Sequence, residues 1–137
     1  MRKLVEWTFV SLDGVIDSPD KWARPYLDDE HHRYARALLD GADALLLGRK
    51  TYEGFVDFWP KQTGEIADRI NERPKYVASR TLTPGKAVWN ATILEGDVAD
   101  AVSRARCRRP WRALVRGSGG NVRAARGDVV RQRDRPA

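Results

Sequence analysis

Val5, Trp7 and Phe9 alternate with Glu6 and Thr8, a period of two that predicts a strand with at least one buried face. Residues 11–26 carry Gly14, Pro19 and Pro25 among three aspartates and read as a loop. Asp28 then stands where it can cap a helix whose Ala35, Leu38, Leu39 and Ala42 recur at helical spacing, with Gly41 marking its stop. Ala44 to Leu47 is short and wholly apolar before Gly48, which predicts a strand covered on both faces. Residues 50–58 follow as a helix with Tyr52, Phe55, Val56 and Trp59 on its apolar side, and a shorter helical turn runs from Thr63 through Ile66 and Ile70 to end before Pro74. Tyr76 to Ala78 and Thr92 to Leu94 are the next strands; Asp97 caps a helix holding Val98, Ala101 and Val102, and Ala113 to Val115 is a fifth strand. Helices separate most of these strands, so the pattern predicts an α/β domain with a mainly parallel sheet sandwiched between helices.

Composition bounds that picture without changing it. The 137 residues are enough for one core, and 42% hydrophobic with 32% charged residues excludes a disordered or collagen-like chain. The longest apolar run, Ala44 to Leu47, is far short of the ~20 residues that cross a bilayer. Cys107 is the one cysteine and the N-terminus lacks a signal-peptide pattern, so a cytoplasmic protein with no membrane partner is expected.

Charge does change the picture. The formal net charge is +6, yet residues 1–102 hold 14 basic against 17 acidic side chains, whereas residues 103–137 hold 11 arginines, no lysine and two aspartates. The basicity is confined to the last quarter of the chain. A solvated arm and a nucleic-acid-binding arm are the usual readings of such a block; with Trp111 as its only aromatic residue, base stacking has little support and a nucleic-acid partner is not expected.

In an open parallel sheet, ligands bind beyond the carboxyl ends of the strands, and the candidate chemistry falls there. Gly48-Arg49-Lys50-Thr51 opens a helix, where unpaired N–H groups, two cations and a hydroxyl suit a phosphate. Ser79-Arg80-Thr81 places another cation between hydroxyls, and Gly117-Ser118-Gly119-Gly120 can let a backbone approach a pyrophosphate, although Val122 stands where a full dinucleotide fingerprint has its third glycine. Each turn alone has a plainer explanation; three at neighbouring strand ends describe a dinucleotide lying across the sheet. Asp13, beside Gly14, is either a proton donor or polar contact to substrate, or simply a turn residue. Trp22, Tyr26 and Trp59 are candidates for an apolar wall against a flat heterocycle, with core packing as the plainer alternative. No metal site is expected: His31 and His32 are adjacent on a helix and point apart, which favours a solvated first turn. Cys107 sits among arginines that would lower its pKa, but no histidine near it in sequence offers a base.

The succession Ser11-Leu12-Asp13-Gly14, Leu46-Leu47-Gly48-Arg49-Lys50-Thr51-Tyr52-Glu53, Pro74-Lys75-Tyr76-Val77-Ala78-Ser79-Arg80 and Leu114-Val115-Arg116-Gly117-Ser118-Gly119 resembles the dihydrofolate reductase-like superfamily. Within it the chain is similar to the C-terminal reductase domain of the bifunctional riboflavin-biosynthesis deaminase-reductase; the zinc signature of the deaminase half is absent. The resemblance spans residues 2 to about 120. It implies a three-layer α/β/α fold, usually homodimeric, and an NADPH-dependent reductase acting on a pterin-like or aminopyrimidine substrate. Gly48, Arg49, Lys50 and Thr51 would then hold cofactor phosphates, Ser79 and Arg80 the ribose 2′-phosphate, and Gly117 to Gly120 the pyrophosphate.

Relatives of this kind continue with a further helix and three strands, including a Gly-x-Gly-Lys turn. Here residues 121–137 are Arg-rich instead, so residues 1–120 are expected to form the domain and the tail to be disordered or frame-shifted. The first strand would then be an exposed edge, the fold incomplete at its C-terminal side and activity impaired. Two alternatives from other classes are a non-catalytic nucleotide-binding fragment and a nucleic-acid-binding protein acting through its arginines.

Overall fold

A computed structural model describes residues 4–108 and 113–116, with side chains over residues 4–104. Six strands, β1 (Leu4–Trp7), β2 (Ala44–Gly48), β3 (Lys75–Ala78), β4 (Gly85–Ala87), β5 (Ala91–Ile93) and β6 (Ala113–Arg116), make one sheet in the order β1-β6-β2-β3-β5-β4. All neighbouring pairs are parallel except β4 with β5. The helices are α1 (Pro19–Trp22), α2 (Asp29–Asp40), α3 (Arg49–Phe58), α4 (Glu65–Glu72) and α5 (Val98–Arg108).

Strand β2 shows why the sheet is covered twice. Successive side chains of a strand point to opposite faces; Leu45 and Leu47 therefore join Leu39 of α2, Tyr52 of α3 and Ile70 of α4, while Ala44 and Leu46 join Leu4 and Val102 of α5. All four β2 residues before Gly48 are buried, as the apolar run predicts. The layering is α/β/α, as expected. Right-handed crossovers account for it: moving from β1 through β2 to β3 puts α2, α3 and α4 on one face, and the return from β5 to β6 puts α5 on the other.

The five strands read from the pattern are present, and both predicted caps hold. Asp28 Oδ1 accepts the His31 N–H at 2.8 Å, and Asp97 Oδ1 accepts those of Ala99 and Asp100. Replacing Asp28 by alanine is expected to lower stability by about 1 kcal/mol, the usual worth of such a cap, in chemical denaturation. Three readings need correction. The loop at 11–26 contains α1 and a 3₁₀ turn at Arg24–Tyr26. Strand β4 was not expected: Gly85-Lys86-Ala87 has no apolar alternation and is exposed along most of its length, a strand only because it pairs with β5. His31 is not simply solvated, since its ring stacks on Phe9 at 5.3 Å and lies 5.8 Å from Trp7. Among the described residues β1 pairs with β6 alone. No helix among them is long and apolar enough to cross a membrane. The expected turn at Gly117 to Gly120, the tail 121–137 and the Cys107 side chain lie outside the described residues.

Candidate active site

Strands β1, β6, β2, β3 and β5 are mutually parallel, so their carboxyl ends open on one edge. Gly48 pairs with Ala78, and Arg116 pairs with both Leu47 and Trp7. The carboxyl ends of β6, β2 and β3 therefore lie on three adjacent strands, ~4.8 Å apart.

Gly48 is the N-cap of α3 and supplies no side-chain cap, leaving the first-turn amides to other acceptors. Its φ of −76° is open to any residue, and a methyl group built on it meets no atom within 4 Å. Neither backbone strain nor packing within the described residues explains this glycine. Arg49 and Lys50 are exposed, whereas Thr51, the fourth residue of the motif, is buried. Arg49 donates from Nη1 to Thr81 Oγ1 at 3.0 Å, and its Nε lies 3.8 Å from Glu53 Oε1. One hydrogen bond thus joins the turn after β2 to the turn after β3.

In that second turn the Ser79 hydroxyl accepts the N–H groups of Thr81 and Leu82 at 3.2 and 3.0 Å, so it shapes the loop. Arg80 is exposed and has no hydrogen-bond or ion-pair partner among the described residues. Asp13 lies in a tight turn closed by the Ser11 N–H donating to the Val15 carbonyl at 3.0 Å, by the Val15 N–H donating to Ser11 Oγ at 2.8 Å and by Gly14 at φ 87°; it accepts the Ser11 hydroxyl and is exposed. This turn leaves the same sheet edge, two strands away from β2.

The three aromatic candidates do not meet. Trp22 is half-buried with its Nε1 donating to the Asp17 carbonyl, and Tyr26 is exposed; both belong to the connection after β1. Trp59 is elsewhere. Helix α3 starts at the carboxyl edge and its ten residues run ~15 Å back, so Trp59 sits toward the amino ends of the strands, packed against Phe55 and Phe58, its carbonyl accepting from Asn71 Nδ2. It is partly buried and packs against the core cluster, the plainer of the two sequence readings.

That opposite edge holds a group the sequence did not single out. Lys75, the first residue of β3, has no solvent exposure; its Nζ donates to the Asn71 carbonyl at 2.7 Å and lies 4.0 Å over the Trp89 ring. Burial pushes its pKa down to about 8. Trp89 in turn donates to Asn71 Oδ1, and Tyr52 donates its hydroxyl to the Val88 carbonyl. These contacts hold the turn before β5, in which Trp89 and Asn90 both have positive φ.

Over residues 2–110 the chain matches the family described as the RibD C-terminal domain. No curated protein matches it. Among solved structures it is similar to a Shewanella sp. PV-4 protein named for riboflavin biosynthesis, with 20% identity and a TM-score of 0.59 over 87% of this chain. The aligned part spans 66% of that neighbour's length. Likeness at this identity is a statement of fold, and it agrees with the dihydrofolate reductase-like architecture.

Proposed function

The chain belongs to the RibD C-terminal domain family, and from that premise we propose that it is an NADPH-dependent reductase acting on a C=N or C=O group of a pterin-like or aminopyrimidine substrate. The observation that carries the reading is the Arg49–Thr81 bond, which ties two cation-bearing turns together at one sheet edge. The residues there suit a phosphorylated coenzyme: an uncapped helix start, exposed Arg49, Lys50 and Arg80, and a glycine with open space above it.

When bound, NADPH supplies the hydride. The chain's part is to bind and orient. Lys50 would offset the charge of the cofactor phosphates and the first amides of α3 would donate to them, Arg49 and Arg80 would hold the ribose 2′-phosphate, with Ser79 shaping the turn and Thr51 packing beneath it. Gly117 to Gly120 are assigned the pyrophosphate by the family resemblance. Asp13 is assigned the polar contact to substrate, with Trp22 and Tyr26 flanking it; Trp59 is not. A homodimer is part of the same proposal, and light scattering on the purified protein measures it.

Titrating the protein with NADPH and NADH, followed by nicotinamide fluorescence, tests the reading: saturation with NADPH at lower concentration is expected, and no binding of either would end it. Gly48→Ala is expected to cost less than about 1 kcal/mol of stability, because alanine is a poorer cap than glycine but fits the backbone and the open space, yet to weaken NADPH severalfold by obstructing close approach. Fluorescence titration beside a urea melt separates the two effects. One observation favours a second reading, a nucleotide-binding module without turnover: Asp13 is engaged by Ser11 within its own exposed turn. Binding of NADPH with no consumption across pterin and aminopyrimidine substrates would select it.

A further inference from the structure

An arginine side chain has many rotamers, and holding one of them needs partners at more than one point. Arg49 has two. Its Nη1 donates to Thr81 Oγ1 at 3.0 Å, and its Nε faces Glu53 Oε1 one helical turn on, at 3.8 Å. Thr81 is itself restrained: its N–H donates to Ser79 Oγ at 3.2 Å, and its hydroxyl oxygen stands 3.5 Å from the same atom. A chain of contacts therefore runs from Ser79 through Thr81 to Arg49 and Glu53, crossing from the β3 turn to the β2 turn.

The arrangement leaves donors to spare. The Nη2 group of Arg49 has no partner among the described residues, and neither does Arg80, which precedes Thr81 in the chain. Arg49 reaches across to Thr81, the residue that follows Arg80 in the β3 turn, and two cations from adjacent turns, with Glu53 balancing one of them, favour an anion carrying more than a single charge. A phosphomonoester has close to two charges near neutral pH, whereas each phosphate of a pyrophosphate bridge has one.

We propose that Thr81 and Glu53 are positioning residues, which hold the Arg49 guanidinium across the gap between the two turns so that Arg49 and Arg80 form a pre-set pair selecting a nucleotide with a ribose 2′-phosphate. This rests on the reductase reading and adds to it how the coenzyme is discriminated. Neither Thr81 nor Glu53 touches the reacting atoms; both act through Arg49.

The test compares wild type with Thr81→Val, Thr81→Ser and Glu53→Gln in the full chain. Thr81→Val keeps shape and removes the acceptor, and a thermal melt confirms that it folds. For Thr81→Val the dissociation constant for NADPH is expected to rise about tenfold, with NADH changed less than twofold and turnover at saturating NADPH unchanged; Thr81→Ser retains wild-type selectivity. Glu53→Gln moves the same ratio by a smaller factor. Adenosine 2′,5′-bisphosphate, followed by calorimetry, reports the same discrimination without the nicotinamide. Wild type that binds NADPH while Thr81→Val binds it equally well overturns the inference and leaves the reductase reading standing. Equal weakening of NADPH and NADH also overturns it, because the residue would then serve structure alone. Wild type that binds neither NADPH nor the bisphosphate removes both.

Discussion

Raising the pH from 7 to 10 is expected to stabilise the protein, by roughly 2–3 kcal/mol through Lys75. In the unfolded chain a lysine titrates near its ordinary value of 10.5; in the folded protein burial brings Lys75 down to about 8. Between these values the unfolded state holds the extra proton, so stability increases with pH across that window, is unaffected by this group below about 8, and gains nothing further beyond 10.5. Each pH unit within the window is worth ~1.4 kcal/mol, and the full shift sets the ceiling. The Asn71 carbonyl and the Trp89 face favour the charged form, which works against burial and keeps the gain below that ceiling. Tyr52 has the opposite sign. Burial pushes its hydroxyl above the ordinary 10.0, so the folded state keeps a proton that the unfolded chain loses, and stability falls again at higher pH. Urea denaturation at pH 7, 8, 9 and 10 of wild type and Lys75→Met gives the contribution as a difference, in which other titrating groups cancel. A flat difference would mean that Lys75 is solvated.

Arg80→Ala is expected to raise the dissociation constant for NADPH by about 10- to 100-fold and leave NADH within a factor of two. The side chain is exposed and without a partner among the described residues, so its removal should change stability by no more than ~0.5 kcal/mol. A charge-assisted contact to phosphate in a partly desolvated site is worth ~1.5–3 kcal/mol, which sets the range. Arg80→Lys keeps the charge but loses the planar fork and should fall between the two. Nicotinamide fluorescence measures wild type and both variants with each coenzyme. Equal binding of NADPH by wild type and Arg80→Ala would take Arg80 out of the site and leave Lys50 and Arg49 as the anchoring cations.

Most of the elements were legible because their signals are local. The apolar run at Ala44 to Leu47, the cap at Asp28 and the glycine that begins α3 each announce themselves within a few residues. The hairpin strand β4 was not, since its three residues have no pattern of their own and acquire a state from β5. Lys75 stands within a family motif that gives no sign of its burial, because a lysine at a strand start is normally expected at the surface. Trp59 parts from Trp22 and Tyr26 for a geometric reason: the three share a chemical type, but the length of α3 carries Trp59 to the far end of the sheet.

The sequence by itself determined five of the six strands, the four longer helices, which strand is buried twice, and that phosphate-compatible turns follow β2 and β3. Periodicity, capping and glycine placement act over fewer than ten residues, so they survive without knowledge of the rest. Only the tertiary structure decided that β6 inserts between β1 and β2, that Arg49 reaches Thr81, and that Lys75 loses all contact with water. Those depend on contacts between separate elements of the chain, where burial of the whole sheet and the handedness of its crossovers, not any local preference, select the arrangement.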